Sequence, residues 1–251
     1  MPRSGKERKG GSLLARRLVV FGVVVLALAL GGLRWGVQHF MDSATANPAF
    51  FEEAIVAFEE ADRAKTPSPG AILFVGSSSI RYWDDLAGDM APLRVVNRGF
   101  GGAQFSHVLH NLERVIVSHA PRAVVVYAGD NDLAEGTGKD AARVFADYQA
   151  FVAGVRAHFP DLPIYFLAIK PSLQRWARWP EMRRANAQVE AWSAENEGLG
   201  YLDVAAPLLG ADGEPRDEFF VFDGLHLSDA GYAAWAGVVR PRLLDDLGPG
   251  N

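Results

Sequence analysis

Five short apolar runs recur along the chain, and each is followed by polar or glycine-rich residues. The runs are Ala71–Val75, Leu93–Val96, Ala123–Tyr127, Ile164–Ile169 and Gly200–Val204. The central runs are apolar at successive positions, which is typical of parallel strands that are buried on both faces. The pattern therefore predicts a parallel sheet of about five strands.

Longer amphipathic stretches separate these runs and predict helices. They are Pro48–Ala64, Ser106–Ser118, Lys139–His158, Pro180–Glu197 and Ser228–Leu247. Pro180 and Ser228 are residue types that favour the first positions of a helix. Because strands and helices alternate, we expect residues 47–251 to form one α/β domain, a three-layer α/β/α flavodoxin-like sandwich.

Residues 1–46 have a different character and are expected to form a basic tail, a membrane segment and a linker. The apolar run Leu18–Leu33 follows several basic residues, which predicts an uncleaved membrane-anchor helix, although the run is short for a spanning helix. A signal peptide cleaved near Ala44–Ala46 and a buried core helix are the alternatives. Basic residues stay on the cytoplasmic side, so residues 47–251 are expected to be periplasmic or extracellular, anchored or secreted.

Charge and cysteine content narrow the classes of partner and chemistry. Seven basic residues and one acidic residue give residues 1–40 a charge of +6, which leaves −11 for the rest of a chain whose net charge is −5. An acidic body argues against nucleic acid as a partner. The absence of cysteine excludes disulfides, thiolate zinc sites and a cysteine nucleophile.

Four segments at the predicted strand exits and before the last helix carry distinctive chemistry. They are Gly76–Ser79, Asn97–Gly102, Gly129–Asp132 and Phe222–Leu227. In open parallel sheets ligands bind beyond the carboxyl ends of the strands. The first segment offers hydroxyls at the start of a helix, the second offers backbone N–H groups, and the third offers an amide. In the last, Asp223 and His226 are close enough for one turn to hold the carboxylate on the imidazole.

Each segment alone is compatible with ordinary turn or capping chemistry, and local sequence does not decide between Ser77, Ser78 and Ser79. Their joint occurrence in this order resembles the four blocks of the SGNH or GDSL hydrolase superfamily, which contribute Ser, Gly, Asn and His. The resemblance extends from about Ile72 to Leu227.

The resemblance implies specific roles. Family spacing makes Ser78 the nucleophile, with His226 as general base and Asp223 as the residue that orients it. The implied oxyanion-hole donors are the backbone N–H groups of Ser78 and Gly102 and the side-chain amide of Asn131. No metal or cofactor is implied.

The expected activity is that of a serine esterase that hydrolyses carboxylic esters, lipid acyl or glycan O-acetyl groups, through an acyl-enzyme. Its partners would be a small-molecule, lipid or glycan ester and, through the N-terminal segment, a membrane. Ser77 stands where the family usually has Asp, so a catalytically weak or silent binding module at the membrane surface is the alternative. A flavodoxin-like cofactor binder is a third option.

Three further features each allow a purely structural and a functional interpretation. Asp130, Asp132, Asp223 and His226 could converge on a hard cation, but the implied triad already uses two of them. His107 and His110 are three residues apart without a third ligand, which favours packing or surface roles. The stretch Lys170–Trp179, with two tryptophans and three basic residues, either borders the substrate or packs its tryptophans on the domain.

Overall fold

A computed structural model of the chain describes Gly32, Asn47 and residues 49–67 and 69–249. The chain divides into two units, Met1–Ser43 and Ala44–Asn251, and every strand and helix described below lies in the second. The predicted anchor Leu18–Leu33, apart from Gly32, and the predicted cleavage site Ala44–Ala46 lie outside the described residues. Within the described part, no helix combines the length and the hydropathy needed to cross a bilayer.

The predicted parallel sheet of five strands is confirmed. The strands are β1 Ile72–Gly76, β2 Val95–Gly99, β3 Ala123–Tyr127, β4 Ile164–Leu167 and β5 Leu199–Leu202. They lie in the order β2-β1-β3-β4-β5, and all neighbours are parallel. This is the flavodoxin-like order of doubly wound sheets. All five residues of β1 and of β3 are buried, as their continuous apolar runs predict.

Helices of very different length connect the strands. They are α1 Glu52–Ala64, α2 Ser78–Arg81, α3 Leu86–Asp89, α4 Phe105–His110, α5 Leu112–Val115, α6 Ala141–His158, α7 Trp179–Glu195 and α8 Asp229–Leu247. Single 3₁₀ turns occur at Val117–His119, Trp176–Arg178, Ala206–Leu208 and Asp217–Phe219. The side chain of Ser228 caps α8 by accepting the N–H of Gly231 at 3.3 Å.

Aromatic side chains show that helices cover both faces of the sheet. On one face the ring of Tyr127 packs 5.0 Å from Trp235 of α8. The register pairs Phe166 with the residue before Tyr127, so Phe166 points to the opposite face. There its ring lies 5.0 Å from Tyr148 of α6 and 6.3 Å from Phe105 of α4. The domain is therefore a three-layer α/β/α sandwich.

The predicted helix Ser106–Ser118 is broken into α4, α5 and a 3₁₀ turn. The break lies at Asn111, whose φ and ψ are −101° and 12°. The Asn111 side-chain amide donates to the carbonyl of His107 at 3.0 Å. Short polar side chains of this kind compete with the regular helical hydrogen bonds, an effect that hydrophobic periodicity does not detect.

Strand β2 begins two residues later than predicted and continues through Asn97 and Arg98 to Gly99. The prediction ended at the first polar residue, but β2 is an edge strand, where polar side chains can find partners. The Asn97 amide donates to the carbonyl of Ile80 at 2.6 Å. Smaller differences affect β4, which ends at Leu167, and β5, which runs from Leu199 to Leu202.

Gly76, the last residue of β1, sets the geometry of the sheet edge. Its φ is +132°, and a Cβ atom built there would lie 1.9 Å from the carbonyl oxygen of Tyr127. The register pairs Gly76 with Gly99 on one side and with Tyr127 on the other. The three strands therefore end level, and the segments that leave them begin at one edge.

We predict that Gly76→Ala destabilises the protein by about 3 kcal/mol or more, because backbone strain and overpacking add. Gly237→Ala is the matched control. It lies in α8 with no atom within 4 Å of the added Cβ, so helix propensity should stabilise the fold by up to about 1 kcal/mol. Urea unfolding followed by circular dichroism measures both changes, and equal stabilities for the two variants would contradict the prediction.

Candidate active site

The turn after β1 exposes one of its three serines to solvent. The Ser77 N–H donates to the carbonyl of Tyr127 at 3.0 Å, and the Ser77 carbonyl accepts the N–H of Arg81 at 3.1 Å. Ser77 and Ser79 are each only 2% exposed, whereas Ser78 is partly exposed. The following helix α2 is a single turn, so its dipole contributes little, and the local N–H groups are the donors that remain.

Ser78, His226 and Asp223 form one hydrogen-bonded chain. The Ser78 Oγ lies 3.0 Å from His226 Nε2, and His226 Nδ1 lies 2.6 Å from Asp223 Oδ2. A carboxylate only accepts hydrogen bonds, so Nδ1 carries the proton and Nε2 is left to accept the proton of Ser78. The arrangement can transfer a proton from the hydroxyl to the imidazole.

A tight loop rigidly holds Asp223. Its Oδ1 accepts the N–H groups of Leu225 and His226 at 2.8 and 2.9 Å. Burial alone would raise the pKa of Asp223, but these hydrogen bonds and the contact with the imidazole outweigh it and lower the pKa. The sequence grouped this loop with the segments that leave the strands, but the structure differs. Strand β5 ends at Leu202, and a bridge between Phe220 and Leu227 closes the loop.

The predicted oxyanion-hole residues lie on two adjoining loops. The Phe100 N–H donates to the carbonyl of Gly76 at 2.9 Å, which ties the Gly102 loop to the end of β1. Gly102 has a φ of +81°, which favours glycine. The Asn131 amide donates to the carbonyl of Ala103 at 3.1 Å. The N–H groups of Ser78 and Gly102 make no hydrogen bond to another described residue.

Arg175 orients the side chain of Asn131. Its two terminal nitrogens each lie 3.2 Å from Asn131 Oδ1. A guanidinium group can only donate, so the amide oxygen faces Arg175 and the amide nitrogen faces the Gly102 loop. Sequence reasoning did not identify this residue.

A buried ionic cluster supports this arrangement. Asp130 accepts from Arg175 and, at 3.2 Å, from Lys170, which is fully buried. Burial would raise the pKa of Asp130, but the two cations prevail and hold it well below its usual range. Burial lowers the pKa of Lys170, and Asp130 only partly offsets the effect.

The stretch Lys170–Trp179 fits both of its interpretations. Trp176 and Trp179 stack with ring centroids 6.1 Å apart, and Trp179 is buried. The stretch also borders the candidate site, since Gln174 N–H donates to the carbonyl of Gly224 at 2.9 Å. The concentration of basic residues after β4 was the only sequence signal for Arg175.

The carboxylates considered for a metal site have other partners. Asp132 accepts the N–H of Gly129 at 3.1 Å and the ammonium of Lys139 at 2.7 Å, and Asp130 faces Arg175 and Lys170. His107 Nδ1 accepts the N–H of Gln104 at 3.0 Å. Across residues 49–67 and 69–249, no group of three His, Asp or Glu residues could hold a metal ion.

We predict that Asp130→Asn lowers the free energy of unfolding by about 3–5 kcal/mol, because it leaves the buried Lys170 charge uncompensated. Glu218→Gln, which breaks the exposed pair with Arg216, is the matched control and should stay close to wild type. Urea unfolding of both variants measures the difference. A loss below about 1 kcal/mol for Asp130→Asn would show that the cluster is not a compensated buried ion pair.

Solved structures share this fold at low sequence identity. A GDSL-like lipase from Bacteroides thetaiotaomicron VPI-5482 is 17% identical, with a TM-score of 0.67 over 80% of this chain and 100% of that chain. A lipase/acylhydrolase from Enterococcus faecalis is 20% identical, with a TM-score of 0.57 over 72% and 99%. A catalytic mutant of an acetylxylan esterase from Geobacillus stearothermophilus is 16% identical, with a TM-score of 0.58 over 73% and 96%. No curated protein sequence matches the chain.

At these identities the solved structures establish the fold alone. The family model establishes more than the fold. The model of the GDSL-like lipase/acylhydrolase family matches residues 68–234, which is most of the body. The match includes the Ser78 turn, the Gly102 and Asn131 loops and the Asp223–His226 loop. The chain belongs to the GDSL-like lipase/acylhydrolase family.

Proposed function

We propose that this chain is a serine esterase in which Ser78 is the nucleophile, His226 the general base and Asp223 the residue that orients the imidazole. Family membership supports ester hydrolysis in general. The observation that carries the proposal is the continuous hydrogen-bonded chain from Ser78 Oγ through both nitrogens of His226 to Asp223.

The reaction runs through an acyl-enzyme. Ser78 Oγ attacks the ester carbonyl carbon while His226 Nε2 takes the hydroxyl proton, and Asp223 stabilises the imidazolium. The tetrahedral intermediate collapses, and the leaving alcohol takes the proton from His226. A water molecule then gives a proton to His226 Nε2 and attacks the acyl carbon. As the bond between that carbon and Ser78 Oγ breaks, His226 returns the proton to Oγ, which releases the acid and restores the Ser78 hydroxyl.

Three donors are proposed to stabilise the oxyanion: the N–H groups of Ser78 and Gly102 and the Asn131 amide. The first two make no hydrogen bond within the described residues, so they are available to a ligand. Asn131 already uses one amide hydrogen on Ala103, and its second hydrogen is the one that would reach the oxyanion. Arg175 holds the amide in this orientation and polarises it.

Ser77 in place of the usual Asp motivated the alternative of a silent binding module. In the structure the Ser77 backbone forms the turn, and its side chain makes no capping hydrogen bond. The change therefore leaves the Ser78, His226 and Asp223 contacts in place, which favours an enzyme.

The proposed substrate is a carboxylic ester with a lipid acyl group or a glycan O-acetyl group. The similar structures include a lipase and an acetylxylan esterase, which supports both classes. We also propose that Leu18–Leu33 anchors the chain in a membrane, with residues 47–251 on the periplasmic or extracellular side, because basic residues precede the apolar run. Secretion after cleavage near Ala44–Ala46 is the other form of this proposal.

Hydrolysis of p-nitrophenyl acetate tests the nucleophile. Ser78→Ala should lower kcat by roughly four to six orders of magnitude, because the attacking oxygen is removed. Ser77→Ala is the matched control, since it removes a buried neighbouring hydroxyl and should retain activity. Equal activity of wild type and Ser78→Ala would exclude Ser78 as the nucleophile.

A double-mutant cycle tests the oxyanion hole. Asn131→Ala should lower kcat about 10²–10³-fold with little change in KM. Arg175→Gln should lower kcat in the wild-type background but add little to Asn131→Ala, because Arg175 acts through that amide. Arg178→Gln, which alters an exposed arginine of the same stretch, is the control. Additive losses in the double variant would mean that Arg175 does not act through Asn131.

A further inference from the structure

The large apolar side chains that are exposed in the described residues lie at one place. They are Tyr82, Leu173, Val221 and Phe222, which are 46%, 39%, 39% and 103% exposed. We call these four residues the apolar rim. Large exposed apolar groups are normally scattered over a soluble protein, so their concentration needs a cause.

Each rim residue is next to the Asp223–His226 loop. The Tyr82 ring packs edge-on against the His226 ring, with centroids 5.0 Å apart. Leu173 Cβ would lie 3.1 Å from a Cβ on Gly224. The Val221 N–H donates to the carbonyl of His226 at 2.9 Å, and Phe222 directly precedes Asp223. The rim therefore lies beside the candidate active site, on the side of the Asp223–His226 loop.

The chain also enters the domain on this side. The Phe51 ring lies 3.6 Å from a Cβ built on Gly102 and 5.2 Å, between centroids, from Phe100. Phe51, the residue directly before α1, therefore lies at the edge of the sheet that holds the site. Only thirteen residues separate Leu33 from Asn47, which limits their reach to roughly 45 Å at about 3.3–3.6 Å per residue.

We propose that the apolar rim docks on the surface of a lipid bilayer, so that a lipid ester enters the site directly from the membrane. This inference rests on the proposed esterase function and selects the lipid ester as its substrate class. The occupant is a bilayer because fully protruding side chains such as Phe222 can insert into the headgroup and acyl boundary without a matching groove. Four side chains are too few for a stable protein interface of about 800 Å² per partner.

Charge selects the kind of bilayer. The chain after residue 40 has a net charge of −11, so electrostatic attraction to anionic lipids does not drive the contact. Docking on a zwitterionic surface should depend on apolar insertion and change little with salt.

The test uses the full chain in phosphatidylcholine vesicles. Because the chain has no cysteine, Phe222→Cys gives a single site for the fluorophore nitrobenzoxadiazole. Glu197→Cys is the matched control, since Glu197 is exposed and precedes β5, at the opposite edge of the sheet. At position 222 we expect the fluorophore emission to shift to the blue and to be quenched by lipids that carry a nitroxide on the acyl chain. At position 197 we expect the emission of a fluorophore in water.

Emission at position 222 that matches position 197 would overturn the proposal. A shift caused by p-nitrophenyl butyrate without lipid would assign the rim to a soluble substrate, and a shift that depends on protein density at fixed lipid would assign it to a second copy. Either result overturns bilayer docking. The same labels in the Ser78→Ala background should give the same emission, so docking is measured independently of catalysis.

A kinetic ratio gives the second readout. Phe222→Ser should lower the rate on vesicle-borne phosphatidylcholine, relative to the rate on p-nitrophenyl acetate, by about tenfold, the effect of losing one inserted ring. Glu197→Ser should leave the ratio unchanged. An unchanged ratio in Phe222→Ser would contradict docking. Failure of the wild type to hydrolyse p-nitrophenyl acetate would instead contradict the esterase function and leave the emission result to decide docking.

Discussion

The level ending of three parallel strands is the constraint on which the rest of the structure depends. Gly76 pairs with Gly99 and with Tyr127 in register, and it passes so close to the Tyr127 carbonyl that no side chain fits. The segments with Ser78, Gly102 and Asn131 therefore start from one line at the carboxyl edge of the sheet. Of the four site segments, the Asp223–His226 loop alone reaches this edge without leaving a strand, so its position depends on its own hydrogen bonds and on contact with Gln174 and Tyr82.

The buried cluster of Asp130, Lys170 and Arg175 links stability to the geometry of the site. Desolvation makes a buried ion pair a weak source of net stability, and an apolar cluster of the same volume would serve the fold as well. An apolar cluster could not orient an amide. Because Arg175 contacts both Asp130 and Asn131, the cluster fixes which way the amide nitrogen points, and this geometric role gives a physical reason for a buried lysine beside the site.

The sequence predicted the parallel sheet and the segments at its edge because both depend on local patterns. Continuous apolar runs identified β1 and β3, while polar side chains with specific partners, as at Asn97 and Asn111, shifted or broke elements that periodicity alone predicts. The choice of Ser78 among three serines required family spacing, and burial of its two neighbours provides an independent reason. Arg175 was missed because it meets Asn131 across 44 residues, and no local pattern encodes such a contact.

The partial exposure of His226 and Asp223 connects the proposed triad with the apolar rim. The side chains of His226 and Asp223 are 25% and 30% exposed, so in free solution water competes for the hydrogen bonds and weakens the electrostatic stabilisation of the imidazolium. A bilayer against the rim would exclude that water from one side of the site and strengthen the same contacts without moving any residue. Docking and catalysis are then two consequences of one geometry, because Val221 and Phe222 directly precede Asp223 and the Tyr82 ring packs against the ring of His226.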